Sequence, residues 1–153
     1  MSKGVEAGQV VIITNANAGW VYYSASKLLP RSYEIIASRV KVISARDNHS
    51  QESPDDQYHW KKRAFIALKD DKDLKFNDDA LINLIVVGDS AFEMEAADAL
   101  GQSIEKCLVK TVKLCENSTI AGLMKQLTML NKKWDYLVNT VKNLQIRLDK
   151  VAK

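Results

Sequence analysis

Short apolar runs alternate with helical patterns along most of the chain. Four runs of mainly β-branched and aliphatic residues lack a helical period and predict buried strands, at Val10 to Thr14, Val40 to Ser44, Asn83 to Gly88 and Leu108 to Leu114. Helical patterns lie between them, at Trp20 to Leu29, Ser32 to Ser38, Trp60 to Leu68 and Ala91 to Leu100. This alternation predicts an α/β fold, with a Rossmann-like parallel sheet of about four strands.

The end of the chain has the most regular periodicity. Apolar residues recur at spacings of three and four, at Ile120, Leu123, Leu127, Leu130, Trp134, Leu137, Val141, Leu144, Leu148 and Val151. The pattern predicts one long amphipathic helix with a coiled-coil seam over residues 120–153, after an α/β core at 10–119 and a polar N-terminal segment at 1–9. We expect the helix to pack on its own sheet as far as about Leu137. The rest should overhang and bind a partner through Leu137, Val141, Leu144, Leu148 and Val151.

Charge is distributed unevenly between the two parts of the chain. The whole sequence has 22 basic and 19 acidic residues. From Ile120 onward it has seven basic residues but only two acidic ones, Asp135 and Asp149. The heptad positions that flank the seam contain no acid to pair with Lys133 or Arg147, so a parallel homodimer would gain no flanking ion pairs. The pattern favours another protein with an acidic or neutral helix, although a solvated basic helix face is the commoner explanation of such a charge bias.

Length and composition narrow the class of protein. A chain of 153 residues with 46% hydrophobic content is long enough for one domain with its own core. No apolar run reaches the length of a membrane span, the N-terminus has no signal-peptide pattern, and two cysteines make neither a disulfide framework nor a metal knuckle. We therefore expect a cytoplasmic protein that binds neither membranes nor nucleic acid.

Polar residues stand where three of the predicted strands end. Thr14, Ser44 and Asp89 occupy these positions, and ligands of open parallel sheets bind at the carboxyl ends of the strands. The chain resembles the haloacid dehalogenase superfamily of phosphatase-like proteins over about residues 10 to 115. The similar elements are the strand that ends in Thr14 and Asn15, Trp60-Lys61-Lys62 at the start of a helix, and Gly88-Asp89-Ser90-Ala91-Phe92-Glu93 after the third strand.

The resemblance implies a site for phosphoryl transfer. Thr14, Asn15 and Lys61 would contact the phosphate, and Asp89 and Glu93 would hold Mg²⁺, which prefers oxygen ligands. Each assignment has a structural alternative. Thr14 can cap a turn, Lys61 can be solvated, and Asp89 can be the N-cap of the following helix with Glu93 in its first turn.

The nucleophile of that family is missing from the sequence. The resemblance implies an Asp-x-Asp motif on a central strand before Val10, but the residues before Val10 contain no aspartate. The sheet could close over the gap, a strand from elsewhere could complement it, or the chain could be part of a longer protein. We expect a catalytically inactive interaction subunit; the alternative is a magnesium-dependent phosphatase whose nucleophile strand comes from upstream sequence or another chain.

Overall fold

The computed structural model describes residues 1–74, 76 and 79–148. The chain divides between Leu68 and Lys69 into two compact units, and each has its own parallel sheet. The first unit contains α1 (Ser2–Ala7), β1 (Val10–Thr14), α2 (Ala18–Leu28), α3 (Pro30–Arg39), β2 (Val40–Ser44), α4 (Ala45–His49) and α5 (Gln57–Ile66), followed by a 3-10 turn at Ala67–Asp70. The second contains β3 (Ile82–Gly88), α6 (Ala91–Gln102), β4 (Cys107–Lys113), α7 (Ile120–Asn139) and β5 (Leu144–Arg147).

The sheet of the first unit is a parallel pair. Strands β1 and β2 are in register from Val10 opposite Val40 to Thr14 opposite Ser44, and α2 and α3 form the connection between them. Its core contains Ala45, Trp60 and Ala64, against which Ile13 and Ile43 pack. The segment predicted to be merely polar, residues 1–9, forms helix α1, with Val5 buried. Arg39 donates a hydrogen bond to the carbonyl oxygen of Val5, and this bond ties α1 to the end of α3.

The sheet of the second unit has the order β3-β4-β5, and all pairs are parallel. Helix α6 connects β3 to β4, and helix α7 connects β4 to β5. Val112, Leu114 and Leu137 form the centre of the core, and Ile85, Leu130, Trp134, Leu144, Ile146 and Leu148 pack against them. The apolar residues of β4 and of the second half of α7 therefore hold this unit together.

The parallel α/β architecture is confirmed, but the prediction of one sheet of about four strands is wrong. The described strands number five and form sheets of two and three strands. The strand of Thr14 pairs with β2, and the strand before Asp89 pairs with β4, so the described strands do not close into one sheet over the gap. Within each unit, strands that are joined by a helical connection pair with each other, as is usual in βαβ units.

The prediction of a helix through residue 153 is also wrong. Helix α7 ends at Asn139, Thr140 has an extended backbone, and Leu144–Arg147 pairs with β4 as strand β5. The spacing of Leu144 and Leu148 fits a heptad, but Leu144, Ile146 and Leu148 also alternate with polar residues in the period of a half-buried strand. Pairing with β4 decides between the two periods. Val151 lies outside the described residues.

Candidate functional site

The carboxyl ends of β1 and β2 carry two hydroxyl groups that shape the adjoining turns. The Thr14 Oγ1 atom accepts a hydrogen bond of 3.0 Å from the backbone N–H of Ala16. The buried Ser44 Oγ accepts one of 2.9 Å from the N–H of Asp47 and so caps the start of α4. Thr14 thus caps a turn, which was the structural alternative to its predicted contact with phosphate.

A cleft of about 450 Å³ adjoins these strand ends, and we call it the strand-end cleft. Its lining comprises Asn15, Arg46, Ser50, Pro54, Gln57 and Trp60. The Asn15 Nδ2 group donates a long hydrogen bond of 3.4 Å to the carbonyl oxygen of Gln57. The Asn15 Oδ1 atom is buried and accepts no hydrogen bond from any described residue. A residue that lines the cleft therefore has an acceptor whose bonding capacity is unused, which is costly for a buried polar atom.

The structure brings one of the three predicted phosphate ligands to this cleft. Asn15 lines it, Thr14 precedes Asn15 at the end of β1, and Lys61 is half-buried on α5 outside the cleft lining. The lining residues Arg46, Ser50 and Gln57 were missed, because residues 45 to 59 had too many polar residues to indicate a helix. Ser44 at the end of β2 could have indicated α4, because serine is a preferred N-cap residue.

The predicted magnesium ligands begin a helix. Ser90 is the N-cap of α6, and its side chain and that of Glu93 form a capping box. The buried Glu93 carboxylate accepts a hydrogen bond of 2.9 Å from the Ser90 N–H. A Cβ atom on Gly88 would lie 2.7 Å from Glu93 Cγ, so the glycine makes room for this carboxylate. Glu93 therefore takes part in capping the helix, as in the structural alternative to the magnesium site, but the N-cap residue is Ser90 and not Asp89.

A lysine adds positive charge beside Asp89. The Lys113 Nζ group donates hydrogen bonds of 2.9 Å to the carbonyl oxygen of Asp89 and to the Glu116 carboxylate. No three His, Cys, Asp or Glu residues cluster to hold a metal anywhere in residues 1–74, 76 and 79–148. Because Glu93 is engaged in the cap, the described residues do not by themselves assemble a magnesium donor set.

The predicted partner-binding residues do not share a helix face. Leu137 is only 1% exposed, and Leu144 and Leu148 pack on the same core. Val141 is exposed but lies beyond the end of α7, and Val151 is outside the described residues. The predicted helical overhang after Leu137 is wrong, because α7 ends at Asn139. Periodicity shows which residues share a face but not where the helix ends.

The exposed apolar surface of α7 lies at its beginning. Ile120 is 83% exposed and Met124 is 64% exposed, and Leu123 and Leu127 are also exposed. We call these four residues the α7 apolar face. Two turns later, Leu130 and Trp134 pack against the core of the second unit. One helix therefore has a packed second half and an apolar first half that is open to solvent.

Comparisons with protein-family models, curated proteins and solved structures give no match to this chain. The similarity to the haloacid dehalogenase superfamily thus stays a prediction from three motifs. Within the described part of the chain, no helix is both long and apolar enough to cross a membrane.

Proposed function

We propose that the chain is a catalytically inactive, haloacid dehalogenase-like interaction subunit, which binds an acidic amphipathic helix of another protein through the α7 apolar face. The exposure of that face is the observation that carries the proposal. Ile120, Met124 and Leu127 recur at helical spacing, the arrangement by which one helix contacts another. The free thiols of Cys107 and Cys115 support a cytoplasmic location.

The exposed half of α7 is held in position by local hydrogen bonds. Thr119 caps the helix by accepting a bond of 3.1 Å from the Gly122 N–H. The Gln126 side chain accepts a hydrogen bond of 2.7 Å from the Cys115 N–H and donates one of 2.8 Å to Ser118 Oγ. A surface that is already ordered loses little conformational entropy when it binds, so these bonds favour its use as an interface.

Charge defines the chemistry of the partner. The sequence contains no acidic residue from Ile120 to Trp134, whereas Lys125, Lys132 and Lys133 occur there. Because the charged residues from Ile120 to Trp134 are all lysines, this part of α7 complements a helix whose apolar strip is flanked by glutamates or aspartates. The same lysines would repel a second copy of α7, so a different protein is the better partner.

The proposal is tested with two helical peptides that share one leucine face, one flanked by glutamates and the other by lysines. We expect the glutamate peptide to bind more tightly and to weaken as salt is raised. Replacing Met124 and Leu127 by Asp should reduce its affinity at least tenfold. The control is Met129→Asp, at an exposed methionine of the same helix. At roughly 100° per residue around the helix axis, Met129 lies about 140° away from Met124.

Three results would overturn this interface. The first is equal binding of the two peptides, because charge would then not select the partner. The second is concentration-dependent self-association in sedimentation that the double Asp variant abolishes, because the face would then bind a second copy of the chain. The third is retention of peptide binding by the double variant, because the face would then not be the binding surface.

A second candidate function follows from the composition of β1. Its sequence, Val-Val-Ile-Ile-Thr, is apolar on both faces, which is typical of a strand between two others, yet β1 pairs only with β2 among the described strands. A complementing strand at its other edge, from upstream sequence or another chain, would make a magnesium-dependent phosphatase if it carried the nucleophilic Asp.

Hydrolysis of p-nitrophenyl phosphate, measured with the chain alone and with an added apolar strand peptide that carries Asp-x-Asp, separates the two functions. The inactive subunit should show no magnesium-dependent hydrolysis in either case. Magnesium-dependent activity of the chain that Asp89→Asn removes, and that the control Asp98→Asn on α6 keeps, would show instead that the chain is a phosphatase.

A further inference from the structure

We propose that the strand-end cleft binds a small carboxylate that has a hydroxyl or amide donor next to the carboxylate group. Arg46 would bind the carboxylate. The Asn15 Oδ1 atom, which is buried, would become accessible when the side chain rotates and would accept the hydrogen bond of the neighbouring donor. The cleft lies wholly within the first unit, so this inference is independent of the α7 apolar face and can fail or succeed separately from it.

Arg46 supplies the only formal charge in the cleft lining. Its guanidinium forms no ion pair or hydrogen bond with any residue in the described part of the chain. Two acids close to Arg46 in the sequence have other partners: Asp47 accepts hydrogen bonds from Asn17 and Ala18, and Glu52 pairs with Arg63. An uncompensated arginine at a concave surface favours an anion, and its planar guanidinium matches the two oxygens of a carboxylate.

The number of charges favours a monoanion. The other lining side chains are neutral, so the cleft offers one positive charge. A phosphate ester is close to a dianion at neutral pH and would leave about one negative charge without a counter-charge. A volume of about 450 Å³ also suits a small molecule.

Asn15 adds selectivity for a hydrogen-bond donor. Its Nδ2 group donates to the Gln57 carbonyl oxygen, and this bond leaves Oδ1 as the group without a partner among the described residues. A ligand hydroxyl or N–H that bonds to Oδ1 would satisfy it, whereas an aliphatic carboxylate of the same size would not. Ser50 and Gln57 line the same cleft and have side chains that can both donate and accept.

The walls of the cleft are rigid enough for such discrimination. Trp60 is buried among Ala45 and Ala64, and its indole N–H donates to the carbonyl oxygen of Ser53. Asp56 caps α5 by accepting a hydrogen bond of 2.9 Å from the His59 N–H. These contacts fix the Trp60 wall and the start of α5 before a ligand arrives.

The test is a separate titration of the full chain with each of lactate, propionate, lactamide and inorganic phosphate. Binding is monitored through the NMR signals of the Asn15 amide and the Trp60 indole. Lactate should saturate both signals, propionate should bind at least fivefold more weakly, and lactamide should not saturate. Arg46→Gln should lose lactate binding while keeping its melting temperature. The matched control Arg31→Gln, at an exposed arginine of α3, should bind lactate as the wild type does.

Each part of the proposal has its own contrary outcome. Equal affinity for lactate and propionate would overturn the role of Asn15 Oδ1. Tighter binding of phosphate than of lactate would overturn the carboxylate assignment. Unchanged lactate binding by Arg46→Gln, or no response to lactate in the wild type, would overturn the site.

Discussion

The Lys110 Nζ group lies 2.7 Å from the carbonyl oxygen of Leu137, to which it donates a hydrogen bond. It also donates to the carbonyl oxygen of Val138 at 3.2 Å, and the lysine side chain is completely buried. These carbonyls belong to the last turn of α7, where a helix has acceptors without intrahelical partners and a partial negative charge. One side chain of the central strand β4 thus holds the end of α7, before the chain turns back into β5.

Replacing Lys110 by Met should destabilise the second unit. Methionine retains the apolar stem of lysine but leaves the two carbonyls without their buried donor, a loss of about 1–3 kcal/mol. Chemical denaturation, monitored through the indole NMR signal of Trp134, would measure it. The control is Lys125→Met, at an exposed lysine of α7, which should change the stability by less than about 0.5 kcal/mol. An unchanged Lys110→Met variant would show that the buried bonds contribute no net stability.

The same lysine should give stability a distinctive dependence on alkaline pH. Burial lowers the pKa of Lys110 below its usual value. In the interval between the folded and unfolded pKa values the unfolded chain binds more protons, so the contribution of this group to stability rises as pH rises through that interval. Lys110→Met should remove the rise. Unfolding free energies of both proteins between pH 8 and 10, measured at constant ionic strength, test the difference, and parallel pH profiles would contradict it.

His49 should make the first unit sensitive to acid. Burial, and then the positive charges of Arg63 and His59, lower the pKa of His49 below its ordinary value. The unfolded chain therefore takes up a proton at a higher pH than the folded chain, and stability is lost as pH falls from about 6.5 toward the folded pKa. His49→Gln should flatten the melting temperature between pH 7 and 5 relative to the wild type. An equally steep profile in the variant would assign the loss to other groups.

Gly88 and Glu93 should be energetically coupled. Gly88→Ala places a Cβ atom against the Glu93 side chain, and the resulting overpacking should cost about 1–3 kcal/mol. In a Glu93→Gly background the same substitution should cost far less, because the Cβ, Cγ and Cδ atoms of Glu93, which lie 2.7–2.9 Å from the added atom, are then all absent. A double-mutant cycle measures the coupling. Additive effects would show that the Gly-Asp-Ser sequence has a requirement other than space for the cap.

The sequence predicts local elements better than their tertiary placement. The runs at Val10 and Val40 identify β1 and β2 within their structural bounds, because short runs rich in Val and Ile favour strands. Periodicity identifies α7 but not its end, since Thr140 and the pairing of Leu144 with Lys110 become evident only in the folded chain. Similarly, the Gly-Asp-Ser-x-x-Glu spacing suits both a metal site and a capping box. In the structure Ser90 and Glu93 form the capping box, and the magnesium site stays a prediction.

The residues after α7 should behave as a strand rather than as a helical extension. Ile146 packs against the core of Val112, Leu114 and Leu137, whereas its neighbour Gln145 is exposed. Ile146→Ala should therefore destabilise the second unit by about 1–2 kcal/mol for a partly buried isoleucine, and Gln145→Ala should have little effect. Deleting residues 140–153 should cost more than either substitution, because β4 loses its neighbour together with Leu144, Ile146 and Leu148. A deletion variant as stable as the full chain would contradict the pairing of β5 with β4 and would restore the C-terminal segment as a candidate partner-binding element.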